Sequence, residues 1–500
     1  MDTTTPKNIE KLATHIPGFD HIAIGGLPKY RTTLVSGSAG SAKTVFAAQF
    51  LAEGITRSGE HGVFVTFEES PIDIRKNMFS MGWDIETWER EGKWLFVDAS
   101  AAPGEEPVIA GSYDLGALLV RIEHAIITIQ ADRVSLDSLD AIFTQLPDRA
   151  TVRRELLRIS TALKRMKVTA VMTAERIREY GEISRFSVEE FVTDNVVILR
   201  NNLIEEKRRR TVEILKFRGA DHKKGEHPFT VVRGQGLVAI PLSAIELKQN
   251  SSNIRISSGN AELDAMCGGG FFRDSIILVS GNTGTGKTVV ASEFLAGGLK
   301  AGERTLLFAF EESREQLFRN ASDLAGHFEQ MEREGMLKVI CEYPEIMGLE
   351  DHLIKINKTI QDFRPARIAV DSISALERIT TAKGFREFVI SLVYAIKQQE
   401  ISGLFTSTTP TQPGGSTVTE AHISATTDSI ILLRNVEMNG EMRRALTVLK
   451  MRGSQHDKNI REFSIDASGI HIGKQYRNVN GILLGRPVMD MPSELDQKPE

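Results

Sequence analysis

The chain has 500 residues, 41% of them hydrophobic and 25% charged, with a net charge of −5 and an isoelectric point near 6.2. That length exceeds what one hydrophobic core serves, so two soluble globular domains are expected, and the acidic balance argues against a nucleic-acid or anionic-membrane partner. Two cysteines, Cys267 and Cys341, cannot build a disulfide framework and lack zinc-site spacing, so both read as reduced structural thiols of a cytoplasmic protein.

In chain order, "MDTTTPKNIEKLATHIPGF" has no basic segment followed by an apolar one, and no run approaches a membrane span, so neither export nor membrane anchoring is expected. The run from Arg31 then leads into "GSAGSAKT", which is Gly37, Ser38, Ala39, Gly40, Ser41, Ala42, Lys43 and Thr44. This is the phosphate-binding pattern G-x-x-x-x-G-K-[ST] with Ala42 in place of its last glycine. An alanine forced into glycine-type backbone costs about 1–2 kcal/mol, while micromolar affinity represents about 8 kcal/mol, so binding is weakened roughly ten- to thirtyfold and not lost. The site's acidic partners remain: Glu68 and Glu69 closing "VFVTFEES" and Asp137 ending "RVSLD". The charge run from Glu205 to Arg210 reads as a solvated hairpin tip.

After a polar seam near residues 247–258 the sequence repeats. "DSIILVSGNTGTGKTVVASEFLAGGL" from Asp274 answers "RTTLVSGSAGSAKTVFAAQFLAEGI", "LLFAFEES" answers "VFVTFEES", "RIAVDSI" answers "RVSLDSL", and "KMRG" answers "KFRG". From Asp137 onward the pairs sit at one offset of 234 residues. β-branched runs alternate with helical segments in each copy, which predicts tandem α/β domains with mostly parallel sheets flanked by helices. The expected units are 1–247, 248–485 and a short disordered tail at 486–500.

In the second loop, Gly281, Asn282, Thr283, Gly284, Thr285 and Gly286 can curl backbone N–H groups around phosphate oxygens at a helix start. Lys287 supplies a point charge, and the hydroxyl of Thr288, like that of Thr44, is placed to ligate Mg²⁺. Asp371, like Asp137, ends an apolar run at a strand's carboxyl edge, where it can reach the magnesium shell. Glu311 and Glu312, like Glu68 and Glu69, are the candidates to polarise the group attacking the γ-phosphate.

The doubled order GNTGTGKT, FEES, AVDS, LLRN and KMRG resembles the RecA-like ATPases, and more narrowly the KaiC family of circadian clock proteins. The resemblance runs from about residue 16 to 465, with phrases as specific as "MCGGGFFRDSIIL" and "YPEIMGLEDHL". It implies a homohexameric double ring with ATP between neighbouring subunits, a first domain that is a slow ATPase and receives a KaiB-like protein, and a second that phosphorylates its own chain. By the same resemblance Lys216, Arg218, Lys450 and Arg452 would reach the ATP of the adjacent protomer, where cations neutralise charge on the transferring phosphoryl group.

The family's acceptor pattern is a Ser followed by a Thr; here "AHISATTDS" gives Ser424 followed by Ala425. Ser424 and the upstream Thr419 are the expected acceptors, and Ser424 corresponds to Glu190 in the first domain. Phosphorylating Ser424 would add about 1.5–2 negative charges where the first domain holds a fixed carboxylate. "MDMPSELDQKPE" is shorter than the tail with which the family binds KaiA, so KaiA dependence is not expected, while residues 102–115 resemble the region that engages KaiB. The competing expectation is a hexameric RecA-like ATPase without autokinase activity, acting as a nucleotide-gated partner-binding ring or, further off, as a DNA motor.

Overall fold

The computed structural model describes residues 9–100, 115–184 except 145 and 147, 189–241 except 205, 252–484 except 321, 322, 410–422, 439 and 478, and the pair 488–489. The chain falls into two compact units, Met1–Glu246 and Leu247–Glu500.

Nine strands build the main sheet of the first unit: β1 (Thr32–Gly37), β2 (Gly62–Thr66), β3 (Trp94–Asp98), β4 (Arg133–Asp137), β5 (Thr169–Glu175), β6 (Asn195–Ile204), β7 (Lys207–Phe217), β8 (Glu226–Val232) and β9 (Gly236–Ala239). They lie in the order β9-β8-β7-β6-β1-β5-β4-β2-β3. Pairing is parallel from β6 through β3 and antiparallel from β6 to β9. The second unit repeats this with β10 (Ile276–Gly281), β11 (Thr305–Ala309), β12 (Leu337–Cys341), β13 (Arg367–Asp371), β14 (Ser402–Thr408), β15 (Ser429–Met438), β16 (Glu441–Met451), β17 (Arg461–Asp466) and β18 (Gly469–Gln475), in the same order throughout.

The central strands are buried on both faces, which is why "TTLVSG" and "IILVSG" are apolar without alternation. On one face of the first sheet, α1 (Lys43–Glu53) buries Phe46, Phe50 and Leu51 against Phe19, Val35 and Phe64. On the other, the helix Arg149–Arg165 buries Val152, Leu156, Ile159 and Leu163, the three- and four-residue spacing of one helical face, beside Ile122 of the helix Leu115–Ile129. In the second unit α2 (Lys287–Lys300) takes the place of α1. Each unit also buries one arginine at the start of its acid-bearing strand. Arg133 (1% exposed) pairs with Glu60 at 2.5 Å and Arg367 (2% exposed) with Glu303 at 2.6 Å.

Two expectations are refined. Strands β5 and β14 match at an offset of 233, not 234, so a one-residue change before β5 is compensated before β6. Within 486–500, expected to be disordered, Val488–Met489 pairs antiparallel with Val479–Asn480 in a separate two-stranded sheet; the rest of that stretch lies outside the described residues. Among the described residues no helix is long and apolar enough to cross a membrane.

Candidate active sites

Because β10, β11, β13 and β14 run parallel, their carboxyl ends converge on one edge of the sheet. There β10 ends at Gly281 and α2 begins at Lys287. A cavity of about 360 Å³ opens between Thr283, Gly284, Gly286, Lys287 and Thr288 on the loop side and Glu311, Glu312, Asp371 and Thr408 on the strand side. The Lys287 ammonium donates to the carbonyl of Asn282 at 2.9 Å, and the Thr285 hydroxyl donates to the same carbonyl at 2.8 Å. Burial lowers the pKa of Lys287, and Asp371 and Glu311 oppose the shift. Asp371 accepts from the Thr406 hydroxyl, while Glu311 pairs with Arg378 at 3.1 Å.

The first unit has the same arrangement. Lys43 donates to the carbonyls of Gly37 at 2.9 Å and Ser38 at 3.0 Å, and the Ser41 N–H closes a turn on the Ser38 carbonyl at 3.2 Å. Asp137 is 7% exposed and accepts from the hydroxyls of Thr173 and Thr44; its pKa is raised by burial. Burial also raises the pKa of Glu68, with repulsion from Asp137, Asp140 and Glu175 adding to it, and that of Glu69, with repulsion from Asp137. An ionised carboxylate whose affinity for a proton is raised in this way, beside a lysine, is suited to accept a proton from an attacking water.

Ala42 does occupy the left-handed region, at φ 71° and ψ 31°, as N-cap of α1; its counterpart Gly286 sits at φ 98° and ψ 19°. A Cβ on Gly286 would stand 2.4 Å from Cδ1 of Ile465. The position of Ile465 is filled by Val231 in the first unit, one carbon shorter, and both Ala42 and Val231 pack against the same core cluster. A side chain one carbon shorter at that position removes the methyl group that would crowd a Cβ on Gly286.

Hard oxygen donors suit magnesium, and the hydroxyl–carboxylate pairing of Thr44 with Asp137 beside Lys43 is such a set. Among the described residues no group of three or more His, Cys, Asp or Glu is placed to hold a metal ion.

The K-x-R strands touch the turns that carry Ser424 and, in the first unit, Glu190. Lys450 donates to the carbonyls of Ser424 at 2.7 Å and Thr427 at 2.8 Å, and Arg452 donates to that of Ala425 at 2.8 Å. Lys216 makes the matching contacts to Glu190 at 3.0 Å and Thr193 at 2.9 Å, and Arg218 faces Asp194 at 3.9 Å. Each lysine's own pKa is lowered, first by burial and then by the neighbouring arginine. Ser424 is half-buried and Ala425 exposed. Thr419 and nearly all of 102–115 lie outside the described residues. In the basic hairpin, Arg208 donates to the Asn201 carbonyl at 2.8 Å and Arg210 to that of Gly40 at 3.3 Å, so these two cations are turned onto their own domain.

Sequence reasoning missed the groups behind these sites. Thr173 and Thr406 bond the strand-end aspartates, Glu179 holds Ser38, and Arg434 holds Asn282. Aligning the two copies residue by residue pairs Thr173 with Thr406 and Arg200 with Arg434 but gives Glu179 no acidic counterpart.

A doubled strand–loop–helix with an acidic strand end opposite each phosphate loop defines a tandem RecA-like P-loop ATPase. A family profile described as the KaiC ATPase matches residues 12–244 and again 256–477. The chain is 65% identical over 489 residues to the circadian clock protein KaiC3 of Synechocystis sp., covering 98% of this chain and 97% of that protein. It is 55% identical over 480 residues to the circadian clock oscillator protein KaiC of Thermostichus vulcanus, covering 96% and 92%. With the circadian clock oscillator protein KaiC 1 of Synechocystis sp. the identity is 52% over 494 residues, covering 98% and 95%. The chain belongs to the KaiC family of ATPases.

Proposed function

We propose that this protein is a KaiC-type ATPase and serine/threonine autokinase that works as a homohexameric, cytoplasmic timing or signalling ring, using ATP and Mg²⁺ in both domains. The observation that carries this reading is the tether between Lys450 and the Ser424 carbonyl at 2.7 Å, which joins the family's phosphoryl-facing strand to the one serine left in the acceptor pattern.

In each domain the loop amides and the lysine hold the triphosphate, Lys43 in the first and Lys287 in the second. When bound, Mg²⁺ neutralises phosphate charge, and Thr44 with Asp137, or Thr288 with Asp371, would hold it. Glu68, supported by Glu69, takes a proton from water in the first domain. Glu311 or Glu312 does so in the second, from water or from the hydroxyl of Ser424 or Thr419. Ala425 removes one acceptor, so phosphate load is carried by Ser424 first. Lys216, Arg218, Lys450 and Arg452 face the neighbouring subunit's ATP in the ring, which makes turnover depend on assembly. A KaiB-like protein is a partner through the first domain.

Measuring ADP formation by the full chain tests this. Steady turnover that falls at least a hundredfold when Glu68→Gln and Glu311→Gln are combined is expected. Turnover unaffected by that pair of substitutions contradicts the assigned bases.

A further inference from the structure

The strand that ends beside each phosphate loop carries a different residue in the two units. In the first, β5 ends at Glu175, in register with Gly37 of the loop; in the second, β14 ends at Thr408, in register with Gly281. Thr408 lines the cavity that Lys287, Glu311 and Asp371 also line. The repeat therefore sets a carboxylate at the rim of the first site where the second has a hydroxyl and a methyl group.

A second acid, also missing from the second unit, holds the backbone there. The Asp140 carboxylate accepts the Glu175 N–H at 2.5 Å and the Ser138 hydroxyl at 3.2 Å, joining the end of β5 to the turn after Asp137. Ser374 stands in its place and accepts the Thr408 N–H at 3.0 Å. The Asp137 carbonyl in turn accepts the N–H of Phe67, the residue before Glu68, at 3.0 Å. The ends of β2, β4 and β5 are thus fixed to one another, and after burial it is the charges of Asp137, Asp140 and Glu175 that raise the affinity of Glu68 for a proton.

The two reactions ask different things of this rim. A serine or threonine hydroxyl has one proton to give and is aimed by its own chain, so one acceptor suffices. A water molecule has two O–H groups and nothing to orient it, so in-line attack calls for a second acceptor. We propose that Glu175 is that second acceptor, orienting the attacking water of the first domain through the O–H that Glu68 does not deprotonate. The water oxygen bonds to the γ-phosphorus, and the bond from that phosphorus to the bridging oxygen of ADP breaks. One proton passes to Glu68, and the other stays on the attacking oxygen and leaves with inorganic phosphate. Asp140 is a positioning residue, acting through the main chain of Glu175.

The inference rests on Glu68 as the base of the first domain. ADP formation by the full chain, with the second site silenced by Glu311→Gln, tests the two separately. Glu175→Thr, which copies the second domain, is expected to lower kcat about ten- to hundredfold while KM for ATP stays within about twofold. Glu175→Gln keeps an acceptor oxygen and is expected to recover most of that loss. A lost structural brace would not distinguish threonine from glutamine in this way. Unchanged kcat in Glu175→Thr, equal losses in the two variants, or a change confined to KM overturns the water-orienting role. Turnover that survives Glu68→Gln overturns the assigned base, and with it the inference, whatever the Glu175 variants do.

Discussion

Replacing Gly286 by alanine tests how the two loops diverged. The new Cβ would meet Ile465 Cδ1 at 2.4 Å, in backbone at φ 98°. Crowding a packed site costs about 1–3 kcal/mol, and a left-handed non-glycine residue about 1–2 kcal/mol. Since the isoleucine tip can yield, a total of about 2–4 kcal/mol is expected, with ATP affinity at the second loop at least tenfold weaker. Adding Ile465→Val, which copies the first domain's Val231, removes the clashing carbon and should return about half of that loss. The reciprocal change Ala42→Gly should alter little, within about 1 kcal/mol, because relief of the left-handed conformation is offset by glycine's freedom in the unfolded chain. All three tryptophans, Trp83, Trp88 and Trp94, lie in the first domain, so hydrogen exchange across α2 and titration with an ATP analogue in the Lys43→Ala background are the appropriate assays. Gly286→Ala indistinguishable from the parent, or no recovery on adding Ile465→Val, would refute the reasoning.

The raised pKa of Glu68 fixes a sign: its carboxylate is protonated at higher pH than an ordinary glutamate, so first-domain hydrolysis, measured with the second site silenced by Glu311→Gln, should fall on acidification before pH reaches about 4.5. Asp140→Asn removes one repelling charge and should move that acid limb downward; a limb that stays in place contradicts the assignment. Glu303→Ala strips the 2%-exposed Arg367 of its carboxylate and should destabilise the second domain by about 3–5 kcal/mol in denaturant unfolding. Lys450→Met releases the turn bearing Ser424 and should lower labelled phosphate incorporation about tenfold or more while first-domain ADP formation continues.

The duplicated architecture was legible because both copies preserve the strand–loop–helix order and the apolar runs, which parallel buried strands impose. The loop residues and strand-end acids could be named for the same reason, since the chemistry permits few residue types there. What sequence could not supply was where flexible side chains point. Arg200 and Arg434 are the same residue at the same position, and their directions differ only because Glu213 and Glu226 became Thr447 and Ile460 on neighbouring strands. Likewise Ala42 alone reads as a damaged loop, and the shorter side chain at the position of Ile465, Val231, is distant from it in sequence. The K-x-R strand was legible as a cation pair, but its hold on the Ser424 turn depends on hairpin register.

Time-resolved phosphopeptide mapping of the full chain with Mg-ATP, sampled while ATP is abundant and after it is exhausted, tests the central claim most directly. The account predicts phosphate on Ser424, with or without Thr419, that accumulates and later declines, and that Ser424→Ala abolishes the main peptide. ATP consumption with no modified peptide at either residue would contradict it and leave a ring that only hydrolyses nucleotide.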